Sequence, residues 1–208
     1  MKKAADIEPR NAPVQGRSKK RAKQIIDVTG ELLERVGFDD LNTILIAKEV
    51  GISIGSLYHY FPNKQAIMHA MGKQWLAEIE QVLQQYDSWD IENMSLEESV
   101  KKMLQANLKV YKRQKALLTL VQAMFSVPEL RELDEQHDEM VISHIANVFK
   151  RMGMKKQLKE RERIARVYLE ATHALFLTIN LQQGERSKRT LADLNYMIVS
   201  LLRSHLET

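Results

Sequence analysis

The groups in this 208-residue chain that could do chemistry are concentrated in Thr43–Lys64, TILIAKEVGISIGSLYHYFPNK. Two hydroxyls (Ser53, Ser56), an imidazole (His59), an aliphatic tip (Ile54) and a glycine (Gly55) fall within seven residues. Such groups exchange single hydrogen bonds, touch a thymine methyl or let a backbone come close, and together they suit base edges in a DNA groove. None is an arginine or asparagine with a bidentate preference, so direct readout is thin and part of the specificity is expected from DNA shape. Upstream, RSKKRAK at residues 17–23 holds five basic residues and no acid. Its Lys19, Lys20, Arg21 and Lys23 are suited to follow a phosphate backbone or enter a minor groove. Enzymatic signatures are lacking. No nucleophile–base spacing, phosphate-cradling glycine loop or paired-carboxylate pattern occurs, and Glu97, Glu98, Glu160 and Glu162 read as helix-start and surface charges.

The elements that must position these groups are helical. Thr43 is expected to cap a short helix with Ile46, Ala47 and Val50 on one face, and Gly51 to end it in the left-handed conformation that glycine adopts cheaply. Ser53 caps a second short helix that turns Leu57 inward. Phe61-Pro62 stops that helix, and Asn63 caps the next. Helix, glycine-containing turn and short helix form the helix-turn-helix pattern, whose second helix enters a major groove. A preceding helix starts near Arg17, carries Ile25, Ile26, Thr29, Leu32, Leu33 and Val36 at helical spacing, and ends at Gly37. Gly30 inside it costs ~1 kcal/mol relative to alanine, which points to another helix packing close.

Beyond the head the 3.6-residue period continues. A fourth helix runs from Lys64 to about Tyr86 on a stripe of Ile67, Met71, Trp75, Ile79 and Val82. Ser95-Leu96-Glu97-Glu98 is a capping box that opens a fifth. Leu117–Phe125 is a short sixth, and Pro128 restarts the chain into a seventh that ends at Gly153. An eighth, Arg161–Gln183, is apolar nearly all round at Ala174–Leu181 and closes at Gly184. A ninth spans Thr190–Leu206. A helix apolar on every side must be covered on every side, and a second subunit through the last two helices is the expected cover. The chain therefore reads as all-α with about nine helices: a flexible arm at 1–16, a helix-turn-helix domain at 17–62 and a larger helical domain at 63–208.

Composition agrees with this class. The chain is 44% hydrophobic and 28% charged with a net charge of +4, enough for a core under a soluble surface. It has no cysteine, which removes disulfides, thiolate metal sites and thiol nucleophiles. No apolar run approaches the ~20 residues of a membrane span, and no apolar segment follows the basic start as a secretory signal requires.

The order IIDVTGELLERVGF, then T-x-x-I-A, then VGISIGSLYHYFPNK resembles the TetR family of bacterial transcription regulators, strongly over residues 20–68. Ile44 and Leu45 depart from it, standing where polar residues are usual. The resemblance implies that Thr43, Tyr58, Tyr60 and Lys64 hold phosphates. It also implies that the C-terminal helices form a dimer and enclose a cavity for a small-molecule effector, with no cofactor or metal. Candidates for that cavity are Met71, Trp75, Met103, Asn107, Tyr111, Met124, Phe125, His137, Met140, His144, Tyr168, His173 and Phe176. His137 and His144 lie seven apart, which does not fit the usual i, i+4 metal pair. The implied protein is a cytoplasmic, nucleoid-associated repressor that binds a palindromic double-stranded operator as a homodimer and is released by its effector. The alternative is a DNA-binding protein of this fold with a structural or activator role and no small ligand.

Overall fold

The computed structural model describes residues 16–113 and 116–206, and the expected arm at 1–16 lies outside them apart from Gly16. The described residues form nine α-helices and no strand: α1 (Gly16–Asp40), α2 (Thr43–Val50), α3 (Ile54–Tyr60), α4 (Lys64–Asp87), α5 (Leu96–Arg113), α6 (Leu117–Ser126), α7 (Arg131–Arg151), α8 (Leu158–Leu181) and α9 (Gly184–Leu206). Short 3-10 turns at Ile91–Asn93 and Pro128–Leu130 lead into α5 and α7. The all-α class is as the periodicity requires.

Several boundaries differ from the expectation, among them α8, which runs Leu158–Leu181 instead of Arg161–Gln183. Asn42, not Thr43, caps α2: its side-chain oxygen accepts the Leu45 N–H at 2.9 Å, and Thr43 becomes the first helical residue. Both residue types cap well, and the extended backbone of Asn42 decides between them. Gly37 breaks α1 at φ 76°, yet the chain resumes one more turn to Asp40. Helix α9 begins at Gly184 instead of Thr190. Glu185 in its first turn complements the helix dipole and pairs with Lys188 at 2.7 Å, so GERSKR continues the helix N-terminally.

The described chain divides into two compact units, one from residues within 1–76 and 115–135, the other from residues within 77–114 and 136–208. This division differs from a boundary after Pro62. In the first unit, Ile25, Leu32, Leu33, Leu41, Ile46 and Leu57 make the head's core and are almost fully buried. Helix α6 packs on α1, and the Glu34 carboxylate accepts the Ala116 N–H at 2.7 Å. Gly30 is buried where an added Cβ would lie 3.6 Å from Met71 Cε, so the close packing expected there is with a side chain of α4. Gly72 faces Leu133 more tightly, with an added Cβ 2.6 Å from Leu133 Cδ1.

In the second unit α5, α8 and α9 pack on one another. Large side chains from every helix are buried here: Tyr86, Met103, Phe149, Tyr168, Phe176 and Ile198. Arg151 fastens the connection between α4 and α5. Its guanidinium donates to the carbonyls of Tyr86 and Trp89 at 2.9 and 2.7 Å and pairs with Glu92 at 2.7 Å. Leu133, His137, Val141, Ile145, Val148 and Phe149 make up much of α7's buried face. The Ala174–Leu181 run is buried at Phe176 and Ile179 and open at Ala174, Thr178 and Leu181.

Candidate functional site

Helix α3 is seven residues long and buries only Leu57, so nearly everything else on it is available. The Ser53 hydroxyl caps it by accepting the Ser56 N–H at 3.1 Å and shares a 2.8 Å hydrogen bond with the Ser56 hydroxyl. The two serines expected at base edges therefore hydrogen-bond to each other. Ile54, Gly55 and His59 are exposed beside them. On the flank, Thr43 and Tyr58 hydroxyls share a 3.1 Å hydrogen bond, which brings two of the implied phosphate contacts together. Tyr60 is half-buried and meets the His59 ring edge-on at 5.5 Å.

Arg21, Ile52, Ser56, His59 and Tyr60 line an open cleft of about 260 Å³ between α1 and the helix-turn-helix. Arg21 thus lies beside α3, its guanidinium donating to Gln24 at 2.8 Å. Lys19 and Lys20, immediately before Arg21, are exposed, whereas Lys23 is paired with Asp27 at 2.8 Å. Lys64, expected at a phosphate, has partners within the protein instead. Its ammonium donates to the carbonyls of Phe38 and Leu41, both at 3.0 Å, and lies 4.2 Å from the centre of the Phe38 ring. It ties the start of α4 to the α1–α2 connection. No spacing rule foretells this, because Phe38 and Leu41 offer backbone oxygens. Asn63 caps α4 as expected, accepting the Ala66 N–H at 2.8 Å.

The residues expected around an effector are distributed over both units. Met71, Trp75 and Met124 are core in the first, and Phe125 is a correction: it is 59% exposed and lines no interior. The second unit brings most of the rest into two linked polar groups. Tyr111 and His173 Nδ1 share a 2.7 Å hydrogen bond, and the His137 and Phe176 rings lie within 6 Å of this pair. His137 leads outward to Asp138 at 3.3 Å, and Asp138 accepts from Arg166 at 2.9 Å. Burial, reinforced by His137, pushes His173 down to about 4. Hydrogen bonding from His137 and then Arg166 holds Asp138 below its ordinary value. In the second group the Asn107 amide donates to the Tyr86 hydroxyl at 2.6 Å. The Tyr168 hydroxyl faces Asn107 without a hydrogen bond of its own among the described residues. Burial raises all three tyrosines, Tyr86, Tyr111 and Tyr168, well above the ordinary value. His144 approaches Asp87 at 3.4 Å, Met103 is fully buried and Met140 half-buried. Sequence reasoning missed Tyr86, Asp138, Arg151 and Arg166. Each acts across helices, and helical spacing describes only one helix at a time.

A separate open groove of about 320 Å³ lies between α5 and α9, with Leu104, Leu191 and Ala192 at its apolar side and Lys101, Gln105, Lys188 and Asn195 as its polar lining. Among the described residues no cluster of three or more His, Asp or Glu is arranged to hold a metal, and no helix is long and apolar enough to cross a membrane.

Comparison with known proteins supplies the remaining observations. The family model described as "Bacterial regulatory proteins, tetR family" matches residues 25–71, and that described as "Tetracyclin repressor-like, C-terminal domain" matches residues 95–202. The HTH-type transcriptional regulator BetI of Stenotrophomonas maltophilia is 27% identical over 142 residues, covering 67% of this chain and 72% of that protein. The nucleoid occlusion factor SlmA of Mannheimia succiniciproducens is 38% identical over 66 residues, 31% of each chain. The structure of Salmonella enterica GusR superimposes with a TM-score of 0.67 at 18% identity, covering 91% of this chain and 98% of that one. At that identity the likeness speaks for the fold.

Proposed function

The chain belongs to the TetR family of DNA-binding transcriptional regulators and is not an enzyme, and from that premise we propose that it is an effector-released repressor. Two copies bind a palindromic operator, one head per half-site, with half-site centres ~34 Å apart, and occlude transcription. Residues 17–62 read DNA, and residues 63–208 dimerise and sense. Ser53, Ile54, Gly55, Ser56 and His59 meet base edges, while Thr43, Tyr58, Tyr60, Lys19, Lys20 and Arg21 neutralise or bond phosphates.

The observation that carries this reading is the exposed α3, presented by the caps and hydrogen bonds around it. Support for a dimer comes from α8 and α9. Val167, Ala174, Thr178 and Leu181 recur on one exposed stripe of α8, and Tyr196 and Met197 are exposed on α9. Support for sensing comes from Asn107, Tyr111, His137 and Tyr168, buried polar groups, with the half-buried His173 bonded to Tyr111, in an apolar interior. An effector that exchanges hydrogen bonds with them would shift the helices they link, and α4 runs on from the head as one helix.

An electrophoretic shift with the DNA upstream of the chain's own gene tests the reading. A salt-sensitive, sequence-specific shift by a dimer is expected; no specific shift at low salt would sink it. Leu181→Asp with Met197→Asp is expected to halve the particle mass in sedimentation and abolish the shift. A reporter that rises when the gene is deleted separates repression from activation, and one that never responds to added metabolites favours the structural role.

A further inference from the structure

Among the large apolar side chains exposed in the described residues, Ile44, Ile54 and Tyr58 gather on the α2–α3 pair, and Ile44 is the most exposed of the three at 72%. Ile44 does little for its own helix. It is the second residue of the eight-residue α2, whose first turn contains no acid to complement the dipole. A β-branched side chain there gives up rotamer freedom and buries almost nothing. The neighbouring Thr43 is bonded to Tyr58 at 3.1 Å, so the start of α2 is held beside the exposed flank of α3. Asn42, Thr43 and Lys48 beside it are polar, which leaves Ile44 as an exposed apolar tip at the start of α2. In the major groove the apolar feature presented by the base pairs is the C5 methyl of thymine.

We infer that Ile44 packs on a thymine methyl in the major groove, so that α2 contributes base discrimination alongside α3. This inference rests on the head's reading of DNA in the major groove. It turns the departure at this position from a missing polar contact into an apolar one, and it predicts a thymine at a defined place in each half-site. Ile54 on α3 is the other aliphatic tip available for a second methyl.

The test starts from duplexes selected by the wild-type chain out of a random pool. Each thymine of a half-site is then replaced singly by deoxyuridine, which removes the methyl and keeps every hydrogen-bonding group. At one position the replacement is expected to weaken wild-type binding roughly fourfold, the effect of about one buried methyl-sized group. Ile44→Ala is expected to bind the thymine duplex about as weakly as wild type binds the deoxyuridine one, and to be insensitive to the replacement there. Ile44→Val should retain part of the sensitivity, and both variants should melt with the wild type because the side chain is exposed. Equal deoxyuridine penalties for wild type and Ile44→Ala at every position would overturn the inference while leaving DNA binding intact. Failure of the pool to enrich any sequence would instead overturn the DNA reading on which it rests.

Discussion

Tyr58 and Tyr168 carry the same hydroxyl in opposite surroundings. Tyr58 is 39% exposed and shares its hydrogen bond with Thr43 at the surface. Tyr168 is 1% exposed, its hydroxyl has no hydrogen bond among the described residues, and burial raises its pKa. A surface hydroxyl exchanges protein, water and phosphate partners at small cost, since each exchange replaces one hydrogen bond with another. A buried one has only the partners that packing supplies, and leaving it unmatched costs about 1–3 kcal/mol. The head therefore leaves its candidate contact groups accessible, and the second unit withdraws its own from water. Substitutions in the two regions should consequently register in different measurements.

The largest effect is expected where the head departs from this rule, at its own core. Leu57 is fully buried beneath α3, and Leu57→Ala should cost about 2–5 kcal/mol. Thermal denaturation and DNA binding should fail together; retained binding at wild-type affinity would show that α3 does not depend on its buried side. Next comes acid. The His173 pKa falls from 6.5 to about 4 on folding, so the unfolded chain binds more protons between those values and stability is lost as pH falls from about 6.5 to 4. The loss from this one group approaches about 3 kcal/mol. Denaturant titrations at pH 7 and pH 4.5 should show it, and His173→Gln should flatten the slope. An unchanged slope in that variant would remove His173 as the cause.

Lys64→Met follows, at about 1–3 kcal/mol, because two carbonyls lose their donor. It also tests the comparison directly. The melting temperature should fall while the salt dependence of DNA binding stays the same; a slope reduced by about one would return Lys64 to the phosphate set. The smallest stability effect belongs to Tyr58→Phe, expected within ±0.5 kcal/mol. Its DNA affinity should nonetheless drop severalfold, whereas Tyr86→Phe, which strips the Asn107 amide of its 2.6 Å partner, should lower stability first.

How much of this was legible in advance varies by region. The head was readable nearly residue by residue: Gly51 at φ 74°, Ser53 capping α3, Asn63 capping α4 and Leu57 in the core all follow from local rules. Such rules act within four or five residues, and the head is built from elements that short. Asn42 displaced Thr43 as the cap because two adjacent residues of similar chemistry compete and the backbone angle chooses. The internal partners of Lys64 were not legible because they lie 23 and 26 residues away and are backbone atoms.

By itself the sequence determined the helical class, the helix-turn-helix with its stops and starts, and the chemistry available at α3. Those properties depend on 3.6-residue periodicity and on caps, which are written in consecutive residues. Only the tertiary structure decided that α6 packs on α1, that Arg166, Asp138, His137, His173 and Tyr111 form one line across α8, α7 and α5, and that Ile44 stands out in solvent while Lys64 turns inward. Each of these is set by where distant helices pack. A hydrogen bond or a buried face between helices obeys no fixed spacing along the chain, so periodicity holds no record of it.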